Sequence, residues 1–555
     1  MQPSVSLSLL LCATAPCQQL LWQRTGVREV SSLGINSNTV GGQIANVGDV
    51  DGDGCDDLLV LGGHLPSYSS QLWFLSGRDG HTIRTVRHSI PLSYQYRIGR
   101  AGDANGDGAL DYLVTIRHQL GQEPTRLEAR SGLDDAVLWS AARTFSDNFG
   151  AALLSDVDLD GDGRPDAVTT APGVRNGGQN GAVFAFGSDG SPLWEVIGTP
   201  EKPIGMLADW NALGRVGDVN ADGIDDVVVV GFDIPSFAGA AIVLSGRTGQ
   251  ELVRGIGPPN SLLWAVDGCG DLDADGVPDF AAGSYSSNTA IAFSGRTGGV
   301  LYNWSAVTLG NGIKSGGIDL DADGVPDIVA SAPSEDVDPS GNRGAVSVFS
   351  GRDGSLAVRV ERPPEQFDSR FGWAVETLRA QPGSPFGLFV VSDAKHGVYG
   401  SQLFGTGYLG KIAVYRAALP SVQPLGTPCA GALAQPPRFG MRGLGAKATS
   451  GARMHLSNAP PGANGALLLG LSESGRIRLP ADLAGGGGFP GCQLHTSAEV
   501  ALCVVTGTTG VDRGYAYVDI PMPLVAGGSM ALYGQWIVLA NGASGGVTNA
   551  FTWRH

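Results

Sequence analysis

The sequence predicts an all-β protein, a seven-bladed β-propeller closed by a clasp of N- and C-terminal strands and followed by a C-terminal β-sandwich. Three observations lead there. First, a nine-residue acidic phrase occurs six times in 555 residues, as DVDGDGCDD, DANGDGALD, DLDGDGRPD, DVNADGIDD and twice as DLDADGVPD, with starts about 48 to 60 residues apart. A period of that size marks propellers, solenoids and arrays, whose units bury their apolar faces against their neighbours. Second, each phrase runs into a short apolar segment (LLVLGG, YLVTI, AVTTAP, VVVVGF, FAAGS, IVASAP), which reads as a buried strand. Third, the strand inventory leaves one orphan at each end of the repeat.

The orphans decide how the repeat closes. In six units a strand ends in a tight turn and another strand follows: QLWFLSGRDG ending at Gly80, RLEARSGLDD at Asp135, AVFAFGSDG at Gly190, AIVLSGRTG at Gly249, AIAFSGRTG at Gly298 and AVSVFSGRDG at Gly354. The seventh such strand, KIAVYR (Lys411 to Arg416), has no follower, whereas LLWQR (Leu20 to Arg24) has no predecessor. Pairing the two removes both open edges, which is what a ring requires. The seventh unit contains FGWAVETL (Phe371 to Leu378) and FGLFVVSD (Phe386 to Asp393) with no acidic phrase between them, so six loops are expected on seven blades.

Each phrase carries Asp at position 1, Asp or Asn at 3, Asp at 5, Gly at 6 and Asp at 9. Alternate carboxylates, a carbonyl at position 7 and a glycine for the sharp turn are the donor set of a Ca²⁺ loop. Asp/Gly-rich turns that bind nothing also occur, but six copies in one register favour the metal. The expected ligands are Asp49, Asp51, Asp53 and Asp57 with the Cys55 carbonyl; Asp103, Asn105, Asp107 and Asp111 with Ala109; Asp158, Asp160, Asp162 and Asp166 with Arg164. The later loops supply Asp218, Asn220, Asp222 and Asp226 with Ile224; Asp271, Asp273, Asp275 and Asp279 with Val277; and Asp319, Asp321, Asp323 and Asp327 with Val325. An EF-hand is excluded, because position 12 is Val60, Val114, Thr169, Val229, Ala282 or Ala330 where that motif needs Glu. Asn105 and Asn220 lower the charge of the second and fourth loops, which are expected to bind more weakly.

The phrase FGAALLSDVDLDGDGRPDAVTTAP (Phe149 to Pro172) resembles the FG-GAP repeat of the integrin α-subunit propeller, and ASAP (Ala330 to Pro333) repeats its tail. The resemblance extends over about residues 18–418. It implies extracellular calcium loops between the first two strands of a blade, on the face opposite the usual ligand surface. Other units depart from the pattern: the Phe-Gly pair is absent near Gln95, Trp210 and Leu263.

A formal charge of −17 argues against nucleic-acid binding, which meets phosphate with Lys and Arg. Six divalent cations would offset most of it. The 85 glycines suit many short strands and tight turns. Residues 1–17 read as a signal peptide, with an apolar stretch from Val5 to Ala15 and a small-residue ATA site, and nothing later is long and apolar enough to span a bilayer. Residues 18–418 are assigned to the propeller, 419–426 to a linker and 427–555 to the sandwich, whose TPC, PGC and GVTNAF phrases resemble modules on secreted proteins of planctomycete-type bacteria. Beyond the leader, five cysteines remain. Cys429 and Cys492, both in turn-rich segments, are the expected disulfide, and Cys503 in VALCVV reads as a small apolar residue.

The eight histidines are scattered without metal-ligand spacing, and the GxSxG at Gly542 to Gly546 has only a short tail after Ser544, too little for the rest of a triad. No catalytic residue is assigned. The face opposite the metal loops would offer Tyr68, Tyr94, Tyr96, Tyr285, Tyr399 and Tyr408 to a protein or sugar. The leading expectation is a secreted, calcium-binding, non-catalytic binding or adhesion protein for a protein or carbohydrate partner. The rivals are a carbohydrate-active enzyme, lyase or hydrolase, using the same face, and a structural envelope component.

Overall fold

The computed structural model describes residues 19–25, most of 43–416 and a set of strands and turns between 422 and 554; residues 1–18, 26–42, 65–68, 206–210, 285, 336–343, 362–370, 400–406, 426–437 and 479–492 are among those outside the description. Among the described residues every regular element is a strand, apart from a 3₁₀ turn at Phe145–Asp147. Seven four-stranded antiparallel sheets form the blades of a propeller. Blade 1 runs Gln43–Gly48, Asp57–His64, Ser69–Leu75, Thr82–Pro91 from inside to outside. Blades 2 to 6 repeat this meander, beginning at Tyr94, Leu153, Leu213, Ala265 and Gly312.

Blade 7 departs from it in the way ring closure demands. Its inner three strands are Phe371–Leu378, Leu388–Asp393 and Lys411–Arg416, and its outermost is the N-terminal Gln19–Thr25. The clasp register runs from Gln19 opposite Arg416 to Thr25 opposite Lys411, the pair the orphan strands require. A cluster of Leu58, Val60 and Leu75 from blade 1 with Leu388, Val390, Ile412 and Val414 from blade 7 seals the seam, and Leu21 and Trp22 pack against it.

The strand sequences follow their place in the blade. Second and third strands are buried along their length, as in Asp166–Thr170 and Ala238–Leu244, so they read as continuous apolar runs. Outer strands such as Pro192–Ile197 and Val300–Ser305 expose some positions and half-bury others. Their aromatic residues stitch one blade to the next. Trp22 donates to the Gly77 carbonyl at 2.9 Å, Trp139 to Ser188 at 2.9 Å, Trp194 to Gly246 at 2.6 Å and Trp304 to Gly354 at 2.6 Å. Each bond crosses from an outer strand to the hairpin turn of the following blade. On the inside, Lys314 of blade 6 lies 4.0 Å from carboxylate oxygens of both Asp267 in blade 5 and Glu376 in blade 7.

Among the described residues the C-terminal strands form two larger sheets and a two-stranded ladder of Ile477–Arg478 with Gln493–Leu494. One has the order Val422–Leu425, Ala550–Arg554, Ala531–Ala540, Asn464–Gly470, Val500–Val505, with Ser544–Val547 beside Ala531–Ala540. The other is Arg438–Gly443, Gly451–Ser457, Ala516–Pro521. Val422–Leu425 falls in the segment read as a linker, yet it pairs with Ala550–Arg554 and belongs to the module. Cys429 and Cys492 lie outside the described residues. Cys55 and Cys269 are buried free thiols.

Candidate metal centres

All six acidic loops connect the first strand of a blade to the second, and they adopt one internal hydrogen-bonding scheme. The position-1 carboxylate accepts the N–H of the position-6 glycine in every loop, at 2.8–2.9 Å. The position-3 side chain accepts the N–H of position 5 at 2.9–3.1 Å. The position-5 carboxylate accepts the N–H of position 7 at 2.8–3.0 Å. Position-6 glycines hold φ between +82° and +90°, a region that disfavours any side chain. Position 4 is left-handed too, and in the last three loops it is an alanine: Ala221, Ala274 and Ala322 at φ 58°, 59° and 64°.

The position-9 aspartate begins the second strand in five blades and immediately precedes it in blade 6, and it is fully buried in each loop. One of its oxygens accepts the N–H of position 2 at 2.7–2.9 Å. In five blades the other accepts the N–H of a glycine in the next hairpin turn, namely Gly77, Gly132, Gly246, Gly295 or Gly351. Blade 3 is the exception. Its turn, FGSDG, closes one residue earlier and brings no such glycine, so the buried Asp166 Oδ1 has no hydrogen bond among the described residues. Burial pushes Asp57, Asp166 and Asp226 up to about 6 and Asp279 to about 7, because a carboxylate in low dielectric favours its neutral form.

Carboxylate oxygens converge within 4.8 Å of one another in four loops: Asp49, Asp51 and Asp53; Asp158, Asp160 and Asp166; Asp271, Asp273 and Asp279; Asp319, Asp321 and Asp327. In the second and fourth loops the asparagine amide points inward, donating to Asp107 at 2.9 Å from Asn105 and to Asp222 at 3.0 Å from Asn220. The donor set fits a hard, oxygen-seeking divalent cation: anionic oxygens drawn together without a neutralising charge repel one another, and the buried Asp166 oxygen lacks a donor.

The SGR phrases, which read in the sequence as turns, carry a further role. Their arginines reach back to the acidic loop of the same blade. Arg78, Arg247, Arg296 and Arg352 each donate to the position-5 carbonyl at 2.6–3.1 Å. Each also approaches the position-5 carboxylate, at 3.2, 3.7, 2.7 and 3.4 Å. The signal was the co-occurrence of SGR with four of the acidic phrases; blades 2 and 3 carry Leu133 and Ser188 there. Blade 7, which has no acidic loop, uses its connection as a bridge, Arg379 pairing with Asp56 beside the first loop and Gly387 donating to the Asp319 carbonyl of the sixth at 3.0 Å.

On the opposite face, Tyr94 and Tyr96 lie at the start of the inner strand Tyr94–Gly102, away from its acidic loop. Tyr399 and Tyr408 lie on a small ladder in which Tyr399 faces Gly407 and Val398 faces Tyr408. Tyr68 and Tyr285 fall outside the described residues.

An FG-GAP-like repeat model matches residues 49–114, and the FG-GAP repeat model matches residues 149–186 and 312–349. Integrin alpha-PS3 of Drosophila melanogaster is 30% identical over 158 residues, 25% of this chain and 14% of that protein. Integrin alpha-PS2 of the same species is 28% identical over 221 residues, 35% of this chain and 15% of that one, and human integrin alpha-7 is 29% identical over 184 residues, 31% and 15%. The aligned regions thus span about a seventh of those relatives. Among solved structures, the crystal structure of BBS1N in complex with ARL6DN, soaked with lead, aligns at a TM-score of 0.41 and 8% identity, over 72% of this chain and 98% of that one. The chain carries FG-GAP repeats, and its ring is an integrin-α-like propeller. The family-model matches fall between residues 49 and 349, within the propeller. No helix among the described residues is long and apolar enough to cross a membrane.

Proposed function

We propose that the chain is a secreted propeller that binds structural calcium in its six loops and acts as a non-catalytic binding or adhesion protein, presenting the opposite face to a protein or glycan. The observation that carries the metal reading is the shared loop scheme. Backbone N–H groups hold the side chains at positions 1, 3, 5 and 9, and in four loops three of the carboxylates converge; the remaining side chain and the position-7 carbonyl would complete the set around a bound ion. The second and fourth loops, with Asn105 and Asn220, bind more weakly, since ligand charge tunes affinity. The likeness to integrin α propellers supports recognition on the tyrosine-bearing face, where residues on a rigid scaffold can bind without holding the core.

Two measurements test the proposal. Calorimetry in millimolar calcium against chelator should show a higher melting temperature with the ion; an unchanged temperature would sink the metal reading. Protein and glycan arrays probed with wild type and with Tyr94→Ala, Tyr96→Ala and Tyr399→Ala should show binding lost at unchanged stability. Turnover of a purified glycan by the wild type would replace the binding reading with an enzymatic one.

A further inference from the structure

Of the six loops, the sixth is the covered one. Ala322 is buried, whereas the residues at the same position of the first five loops, among them Ala221 and Ala274, are exposed. The Arg352 side chain is 6% exposed, against 51%, 50% and 55% for Arg78, Arg247 and Arg296. Asp321 and Asp323 are fully buried. Two elements provide the cover. The blade 7 connection sets Phe386 against Ala322 and bonds Gly387 to the Asp319 carbonyl. From the C-terminal module, the Tyr515 ring lies 3.6 Å from the Arg352 guanidinium carbon. Arg352 in turn donates to the Asp323 carbonyl at 2.6 Å, which makes a continuous stack of ring, guanidinium and metal loop.

We propose that the sixth loop is a closed metal site whose lid is the C-terminal module, with Tyr515 as the contact that couples the lid to the loop through Arg352. The proposal rests on the calcium reading above. Gathering Asp321, Asp323 and Asp327 away from water costs free energy that a bound divalent ion offsets, so ion and cover favour each other. An ion behind the lid leaves only when the module lifts. By linkage, any factor by which docking tightens the metal is the factor by which the metal tightens docking.

The test is an exchange experiment on the full chain, loaded with radioactive calcium and chased with excess chelator. One ion should leave at least about tenfold more slowly than the rest. Asp323→Asn should abolish the slow phase, whereas Asp275→Asn, the same change in a loop of identical sequence without the lid, should leave it. Tyr515→Ala should bring the slow ion to the common rate and Tyr515→Phe should not. Arg352→Lys, which keeps the charge but loses the planar stack, gives a second route from the propeller side. A single exchange phase, or a slow phase indifferent to both Tyr515→Ala and Arg352→Lys, overturns the lid while leaving the calcium reading intact. A chain that binds no calcium removes both.

Discussion

The fifth and sixth loops have the same nine residues, DLDADGVPD, at Asp271–Asp279 and Asp319–Asp327, and so form a comparison in which local sequence is held constant. Their position-1, position-3 and position-5 bonds match to within 0.1 Å. Their surroundings do not match. Asp273, Ala274 and Asp275 reach solvent to varying degrees, whereas Asp321, Ala322 and Asp323 are buried. The lesson is a division of labour: nine residues determine the cage, and the neighbours determine its access to water.

The largest effect should come from the part the loops share. Asp279→Ala and Asp327→Ala each strand at least two buried backbone donors, Leu272 and Gly295 in one loop, Leu320 and Gly351 in the other. Each should cost about 3–5 kcal/mol, equally in both loops, by urea denaturation in calcium. Unequal losses would show that the cover, rather than the local bonds, holds the cage.

The arginines should separate the loops. Arg352→Ala leaves buried carboxylates without their guanidinium and should cost about 3 kcal/mol. Arg296→Ala removes an exposed pair and should leave the unfolding midpoint unchanged within error. Similar losses would mean that burial around Arg352 has been overestimated in its effect.

Protons should sharpen the contrast in metal-free protein. Burial raises Asp279 and Asp319 from 3.8 to about 7, so the folded chain keeps protons that the unfolded chain has released. Unfolding then loses protons, and stability must fall as pH rises from about 4 to 7. Chelated protein should melt higher at pH 5 than at pH 7.5. Calcium should reverse the trend, because the ion competes with those protons and binds better at the higher pH. A chelated protein more stable at pH 7.5 would contradict the burial of these carboxylates.

The smallest test concerns position 4. Ala274→Gly relieves a left-handed alanine at φ 59° and should stabilise by about 0.5–1 kcal/mol. Ala322→Gly relieves the same strain but loses a methyl packed against Phe386, so the gain should vanish. A matching gain at both positions would show that Phe386 contributes little to the cover.

Much of this architecture was legible in the residues. The unmatched LLWQR and KIAVYR segments identified the clasp, the register of Asp and Gly picked out the six loops, and the FG-GAP resemblance placed them between first and second strands. What escaped did so for physical reasons. The SGR arginines act across a hairpin, so no window around a loop contains them. The strand Val422–Leu425 looks like a linker because its partner, Ala550–Arg554, lies at the far end of the chain. The cover over the sixth loop could not be read at all, since the fifth has the same sequence.

The N-terminal strand pairs with residues about 400 positions later, so it is synthesised first and completes its ladder last. Closing so long a loop is slow, and an edge waiting that long is open to wrong partners. Trp22 and Arg24 give it somewhere to wait. Their bonds to Gly77 and Thr82 reach blade 1, which emerges early, rather than blade 7. Holding the strand against its first neighbour would turn the final closure into a local search, and would make blade 1 the template on which the ring is sealed.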